Sequence, residues 1–260
     1  MVDLSLSDEA LEETVRSITG FIDTQCEQAG VDGVVLGLSG GVDSAATAGL
    51  ATKALGPGRA KALVLPAAPT SDRSVELAME VADMFDLEVE IVDMEPIVTT
   101  VRRAYAEEID RTSLGNVRAR TRAVYWYLVA NEEDRLVLGG GNRTEYLTGY
   151  CTKYGDIAVD CLPLGNLYKA QVRQVASHIG VPEEVVTRTP TAELWEDQTD
   201  EAELGIDYDT LDGIIAMYID GEHSASETIE HLGIERGLFE RIERLIADSA
   251  HKRRPPATPA

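Results

Sequence analysis

The sequence predicts a doubly wound α/β fold, a parallel sheet with helices on both faces, and three observations carry the prediction. Short runs rich in Val, Ile and Leu occur at residues 33–38, 61–65, 88–92 and 135–138. Helical patterns stand between them, giving the β-α-β-α order of crossover units that lay strands side by side and parallel. A glycine-rich turn follows the first run directly, at the place where such sheets bind ligands, outside the carboxyl ends of their strands.

In chain order, Ser7 has the chemistry of an N-cap and is followed by Asp8 and Glu9. Leu11, Val15, Ile18, Ile22 and Cys26 then recur at helical spacing and define an amphipathic first helix. The run 33–38 is apolar without alternation, as in a strand covered on both faces. A helix is expected over 45–55, then a strand at 61–65, a helix over 74–85, a strand at 88–92, a helix over 117–130 and a strand at 135–138. From 188 to 209 the chain turns acidic and irregular, and helical patterns run from about residue 208 to 250 before a Pro-rich tail. No linker or internal repeat interrupts this order, so residues 1–260 read as a single domain.

Forty-six acidic residues against 23 basic ones give a net charge of −23. That disfavours nucleic acid as a partner and, because salt relieves self-repulsion, suggests a halophilic source. No apolar run reaches the roughly 18 residues of a membrane span, and the first residues lack a signal-peptide pattern. A cytoplasmic protein is expected. Cys26, Cys151 and Cys161 are widely spaced and form no Cys-x-x-Cys pair, which supports neither a disulfide framework nor a structural zinc site. The four histidines show no metal-ligand spacing.

The turn reads Ser39-Gly40-Gly41-Val42-Asp43-Ser44. Two glycines let backbone N–H groups face inward, and the start of a helix adds free donors and partial positive charge, making a cradle for phosphate. It lacks the Gly-Lys-Ser/Thr ending of a Walker loop and the Gly-x-Gly-x-x-Gly fingerprint, so γ-phosphoryl transfer and hydride transfer are disfavoured. The turn resembles the pyrophosphatase loop of ATP-dependent adenylating enzymes. Six blocks narrow the resemblance: residues 115–122, 136–139, 149–156 (Gly-Tyr-Cys-Thr-Lys-Tyr-Gly-Asp), 190–194, 200–205 and 251–256 (His-Lys-Arg-Arg-Pro-Pro). In this order they resemble the ammonia-dependent NAD synthetases, from about the first helix to the tail.

The resemblance implies an adenine nucleotide alpha-hydrolase-like, Rossmann-like fold, a homodimer, and no glutaminase domain. It implies that ATP activates the nicotinate carboxylate of deamido-NAD as an acyl-adenylate, releasing pyrophosphate, and that ammonia then displaces AMP. Gly37, Leu38, Ser39, Gly40, Gly41, Val42, Asp43, Ser44, Gly140, Lys169 and Thr191 match positions that bind ATP. Asp43 and Glu145 match ligands of Mg²⁺. Arg120, Lys153, Asp160, His251 and Lys252 match contacts to deamido-NAD. Lys153, Asp156 and Lys169 are the candidate catalytic groups, Asp156 as the carboxylate that holds ammonium and takes its proton. Three of the five lysines, Lys153, Lys169 and Lys252, are among these positions, as expected where a compact point charge is needed. Each position also has a structural reading: helix N-terminal carboxylates for Asp43 and Glu145, a solvated helix lysine for Lys169, a last-turn cap for residues 251–254. Gly140 stands where the family commonly has a threonine touching ATP, and residues 141–144 look closer to the archaeal than to the bacterial form. The competing readings are another pyrophosphatase-loop synthetase and a nucleotide-sensing module on the same fold.

Overall fold

The computed structural model describes residues 2–105, 107–195 and 197–259. Its described elements run α1 (Asp8–Ala29), β1 (Gly33–Gly37), α2 (Val42–Leu55), β2 (Ala60–Val64), α3 (Asp72–Met84), β3 (Glu88–Ile91), α4 (Glu95–Ala104), α5 (Arg111–Glu133), β4 (Arg135–Leu138) and α6 (Arg143–Thr148). There follow α7 (Lys169–His178), α8 (Glu183–Thr187), α9 (Asp200–Leu204), α10 (Tyr208–Ile214), α11 (Ala225–Leu232) and α12 (Arg236–Asp248). The strands pair in parallel in the order β3-β2-β1-β4. Successive crossovers step outward from β1 to β3 and then return to the other side of β1 as β4. The order therefore reverses between β1 and β4, and the crevice beyond their carboxyl ends is the topological switch point.

Alternation along β1 divides the core between the two faces. Val34 and Leu36 join the apolar cluster built with α1, α2, α3 and α7, including Ile22, Leu50, Leu77 and Val172. Val35 joins the opposite cluster with Leu63, Val137 and Val129 of α5. A third cluster around Tyr208, Leu211, Ile214 and Phe239 knits the C-terminal helices together. The doubly wound expectation thus holds, with all four expected strands present.

Helix ends follow local chemistry. Ser7 caps α1 by accepting the Ala10 N–H at 3.2 Å, and Gly30 closes it in the left-handed region. The glycine-turn helix begins at Val42, earlier than the expected residue 45, so Asp43 and Ser44 lie in its first turn. Helix α5 begins at Arg111, earlier than expected, because Asp110 accepts the Ser113 N–H at 2.9 Å. The stretch 208–250 is not continuous. A single π turn over Ile215–Ile219 follows α10, a Ser224–Glu227 capping box starts α11, and left-handed Gly233 ends it.

Leu36 is buried at the centre of the sheet. Leu36→Ala should destabilise the chain by about 2–5 kcal/mol, the usual range for a core cavity of this kind, measured as a lowered denaturation midpoint with an unchanged slope.

Candidate active site

The cradle is shaped before any ligand is considered. Gly40 has φ +80°, and a side chain there would run into the backbone carbonyl of Ser74 on α3, so only glycine fits. Ser44 Oγ donates to the Gly41 carbonyl at 2.9 Å and accepts the Ser39 N–H at 3.2 Å, closing the turn upon the first turn of α2. The start of α2 then faces the switch-point crevice, a cavity of about 510 Å³.

Among the lining residues stands Lys169, the first residue of α7, which is buried. Its Nζ lies 2.6 Å from Asp43 Oδ2 and 2.8 Å from Glu145 Oε1. The start of α7 is fixed from below: Asp212 accepts the Ala170 N–H at 2.9 Å and the Thr144 hydroxyl at 2.5 Å, while Thr144 Oγ1 accepts the Lys169 N–H at 3.2 Å. Burial opposes the charge on Lys169, but attraction to Asp43 and Glu145 outweighs it and holds the ammonium protonated above its ordinary range. Burial likewise pushes the Glu145 carboxyl up to about 7, against the pull of Lys169 and with the push of Asp43. The ammonium is thus the counterion that lets two carboxylates stand side by side on the cavity wall.

Asn142 joins the two acids. It is fully buried; its Nδ2 donates to Asp43 Oδ1 at 2.7 Å, and its Oδ1 accepts the Glu145 N–H at 3.0 Å as the N-cap of α6. Tyr208 backs Glu145 from the other side, its hydroxyl 3.2 Å from Glu145 Oε1 and 3.0 Å from Asp200 Oδ2. Tyr150 donates to Glu203 at 2.7 Å and lies 3.0 Å from Asp200. Sequence reasoning did not single out Asn142, Tyr208 or Tyr150. Asn142 had a signal, an N-cap residue type just after a strand and three residues before Glu145; Tyr208 had none, since only the fold brings it to Glu145.

Gly37, Leu38, Ser39, Gly41, Val42, Asp43, Ser44, Gly140, Glu145, Asp156, Lys169, Thr191 and Lys252 all line the cavity. Gly40 shapes it from behind. Asp156 accepts the Thr152 N–H at 2.7 Å, and burial raises its pKa. Four candidates are not brought to this cavity. Lys153 Nζ donates to the His251 carbonyl at 2.7 Å, and Arg120 is exposed and donates to the Lys153 carbonyl at 3.2 Å. The His251 side chain is exposed. Asp160 borders a second cavity, of about 320 Å³, together with Tyr146, Tyr154, Lys252 and Arg254, and accepts the Val137 N–H and the Tyr127 hydroxyl at 2.8 and 3.0 Å. Lys252 lines both cavities while donating to the carbonyls of Gly149 and Cys151 at 2.7 and 2.8 Å. No described group of three His, Cys, Asp or Glu side chains converges as a metal cage. Asp43 and Glu145 nevertheless fit Mg²⁺, which is held by one or two carboxylates and completes its shell with phosphate oxygens and water.

Fold and cradle define an adenine nucleotide alpha-hydrolase-like protein. Residues 14–256 match the family model for NAD synthase. The NH(3)-dependent NAD(+) synthetase of Halobacterium salinarum is 47% identical over 99% of this chain and 97% of the relative, and that of Pyrococcus furiosus 45% identical over 95% and 94%. Among solved structures, an NMN synthetase from Francisella tularensis superposes with a TM-score of 0.85 at 32% identity, covering 98% of this chain and 99% of that one. An NH3-dependent NAD synthetase from Campylobacter jejuni superposes at 0.82 with 25% identity, covering 98% and 100%. The chain belongs to the NAD synthase family.

Asn142 is expected to act through the two carboxylates and not only as a cap. Asn142→Ser keeps an N-cap oxygen but loses the donor to Asp43. It should keep the melting temperature near that of the unaltered chain while activity and Mg²⁺·ATP binding fall roughly 10–100-fold, the usual loss when a ligand's supporting partner is removed. Asn142→Ala should add about 1 kcal/mol of destabilisation. Activity recovered by serine along with stability would reduce Asn142 to a helix cap.

Proposed function

We propose that the chain makes NAD by ATP-dependent amidation of deamido-NAD with ammonia, releasing AMP and pyrophosphate. The observation that carries this reading is the cradle at the start of α2 opening on one cavity together with the Lys169–Asp43–Glu145 triad, whose Asp43 is part of the cradle itself. A nicotinate carboxylate is too electron-rich for ammonia to attack directly. Its oxygen attacks the α-phosphorus of ATP; the new carboxyl–phosphorus bond forms as the bond to the β-phosphate oxygen breaks, and pyrophosphate leaves with that electron pair. Ammonia then adds to the activated carbonyl, AMP leaves with the C–O electron pair, and one proton departs from nitrogen.

The N–H groups of the cradle and the helix N-terminus receive the phosphates. Lys169 and Thr191 stand ready for the phosphate chain, and Gly140, lacking a side chain, leaves room beside Asp43. Asp43 and Glu145 would hold Mg²⁺, which supplies charge neutralisation at the phosphates. Asp156 is assigned to ammonium: its enclosed carboxylate is a stronger base than an exposed one and suits removal of the ammonium proton. Arg120, Lys153, Asp160, His251 and Lys252 are assigned to deamido-NAD, around the second cavity and the tail that folds over it.

The dinucleotide residues lie toward the surface, which accords with a homodimer that encloses them. Ile97, Val101 and Tyr105 of the α4 segment and Val124 and Leu128 of α5 expose apolar side chains on packed neighbouring helices, a face suited to burial against a second copy. The stretch 123–128 divides accordingly: Ala123 packs inward while Val124 and Leu128 point outward. No described helix is long and apolar enough to cross a membrane.

With ATP, Mg²⁺, deamido-NAD and ammonium, AMP, pyrophosphate and NAD should appear in equal amounts, and ADP should not; stoichiometric ADP would sink the reading. The same assay with the deamido mononucleotide tests the reading suggested by the NMN synthetase, and faster turnover there would move the assignment to the smaller substrate. Asp43→Asn should fold yet lose most turnover, because a neutral amide is a poor Mg²⁺ ligand.

The net charge of −23 supports a salt-adapted protein. The melting temperature should fall on transfer from about 1 M salt, where the Debye length is near 3 Å, to dilute buffer. Full stability in dilute buffer would reject halophily without touching the enzymatic reading.

A further inference from the structure

One cation faces the cavity with no assigned task. Arg122 on α5 lines the cavity wall, in a chain where acids outnumber bases 46 to 23, yet it makes no ion pair with any described residue. Its Nε donates to the Leu65 carbonyl at 2.9 Å, and one Nη reaches the Thr70 hydroxyl at 3.5 Å. The other, Nη1, makes no hydrogen bond to a described residue. The guanidinium is therefore anchored by one edge at the end of β2, on a side chain that lines the cavity.

The surroundings raise the cost of keeping a charge there. Arg118, one turn away on the same face of α5, also has no described acid partner and spends its Nη1 on the Leu194 carbonyl at 2.6 Å. Burial and this neighbouring guanidinium lower the Arg122 pKa from its ordinary value. The carboxylates whose fields reach Arg122 are Glu193 and Asp156. Both are engaged elsewhere, Glu193 with Ser74 at 2.6 Å and Arg188 at 3.1 Å, Asp156 with the Thr152 N–H. A guanidinium oriented, partly desolvated and without an anionic partner among the described residues is arranged for an anion that arrives.

Position identifies the anion. Trp126 packs on Gly37, the last residue of β1; a Cβ at Gly37 would lie 2.9 Å from its ring. Arg122 is one turn earlier on α5, about 6 Å along the helix, and its anchor Leu65 follows the end of β2. It therefore stands beyond the strand ends, level with the cradle that begins at Ser39, in the wall of the cavity that Asp156 also lines. Resting on the proposed reaction, this is where the activated carboxylate and the α-phosphate must meet.

We infer that Arg122 is a catalytic residue whose free guanidinium edge binds the negative oxygens of the carboxylate–phosphate junction, on the α-phosphate of ATP or on the nicotinate carboxylate joined to it. Arg122 takes no proton. It stabilises charge that concentrates as the carboxylate oxygen bonds to phosphorus and pyrophosphate departs.

The test compares Arg122→Gln, Arg122→Lys and Arg122→Ala by melting temperature, steady-state kinetics and isotope exchange between pyrophosphate and ATP in the presence of deamido-NAD. Glutamine keeps a donor for the Leu65 carbonyl but removes the cation. It should melt near the unaltered chain and lose roughly 10²-fold in kcat and in exchange, the range for removing one preorganised charge-stabilising donor. Lysine should fall between, since it keeps charge without the fork. Millimolar guanidinium, but not equal NaCl, should restore part of the turnover of the alanine variant. A rise in KM for ATP assigns the contact to the α-phosphate, and a rise in KM for deamido-NAD assigns it to the carboxylate. Glutamine and lysine variants with unaltered kcat and exchange, or variants that lose only melting temperature, would overturn the inference. Failure of the unaltered chain to form NAD, AMP and pyrophosphate would instead overturn the proposed function on which it rests.

Discussion

The placement of one buried ammonium governs the geometry of the crevice. Lys169 lies within hydrogen-bond distance of Asp43 from the β1–α2 turn and of Glu145 from the β4–α6 turn, so it bridges the two strands between which the sheet order reverses. A buried charge is tolerated only when paired and hydrogen-bonded, and each member here meets that condition through a different element. Asn142 supports Asp43, Tyr208 supports Glu145, and Asp212 fixes the start of the helix that carries Lys169. Removing the ammonium would leave two neighbouring carboxylates on the cavity wall without their counterion, which is destabilising. The triad is thus a structural clasp set in the wall of the cavity.

Lysine usage makes the same point across the molecule. Lys61, one of the five lysines, is also buried, on β2, where it faces Glu133 and lies 3.2 Å from Glu88 and 3.4 Å from Glu90. On the surface the basic partners are arginines, as in Arg73 with Glu76, Glu80 and Glu184. A compact ammonium can sit among several carboxylates in a tight space, whereas a planar fork demands paired, aligned acceptors. The acidic chain therefore places lysine where geometry asks for a point charge.

Much of this arrangement was legible in the sequence because it depends on local chemistry. The four strands and the cradle follow from runs and turns that are continuous in the chain, whereas Asp43, Glu145 and Lys169 were named through the family resemblance. The broken helical stretch after residue 208 was read as more regular than it is, although Gly233 and the Ser224–Glu227 box were visible, because apolar spacing persists across the breaks. Asn142, Tyr208 and Arg122 were given no role for another reason, although Arg122 ends the block 115–122 and Asn142 lies in the segment 141–144. The task of each is set by partners 99, 63 and 57 positions away. Arg120, Lys153 and His251 show the converse: motif positions named them, while the single chain leaves them outside the main cavity.

The remaining wall of the cavity bears on a chemical difficulty, since an acyl-adenylate reacts with water as well as with ammonia. Residues 188–195 close that wall through contacts to both sides of the crevice. Arg188 lies 2.7 Å from the Ser74 hydroxyl and reaches the Gly40 carbonyl at 3.4 Å, Glu193 binds Ser74, and Arg118 holds the Leu194 carbonyl. Gln198 Oε1 accepts the Leu194 N–H at 2.7 Å, and its Nε2 donates to Glu203 at 2.8 Å, continuing the wall toward Tyr150 and Asp200. Glu193 sits at φ +45°, a backbone conformation unusual for a side chain with a Cβ, and its carboxylate contacts with Ser71, Ser74 and Arg188 hold it there. The same segment that carries Thr191 along the cavity wall is thereby tied to the backbone of the cradle. Closure of the cavity wall and support of the cradle are coupled through one loop, which lets the wall remain built from polar side chains whose hydrogen bonds are satisfied.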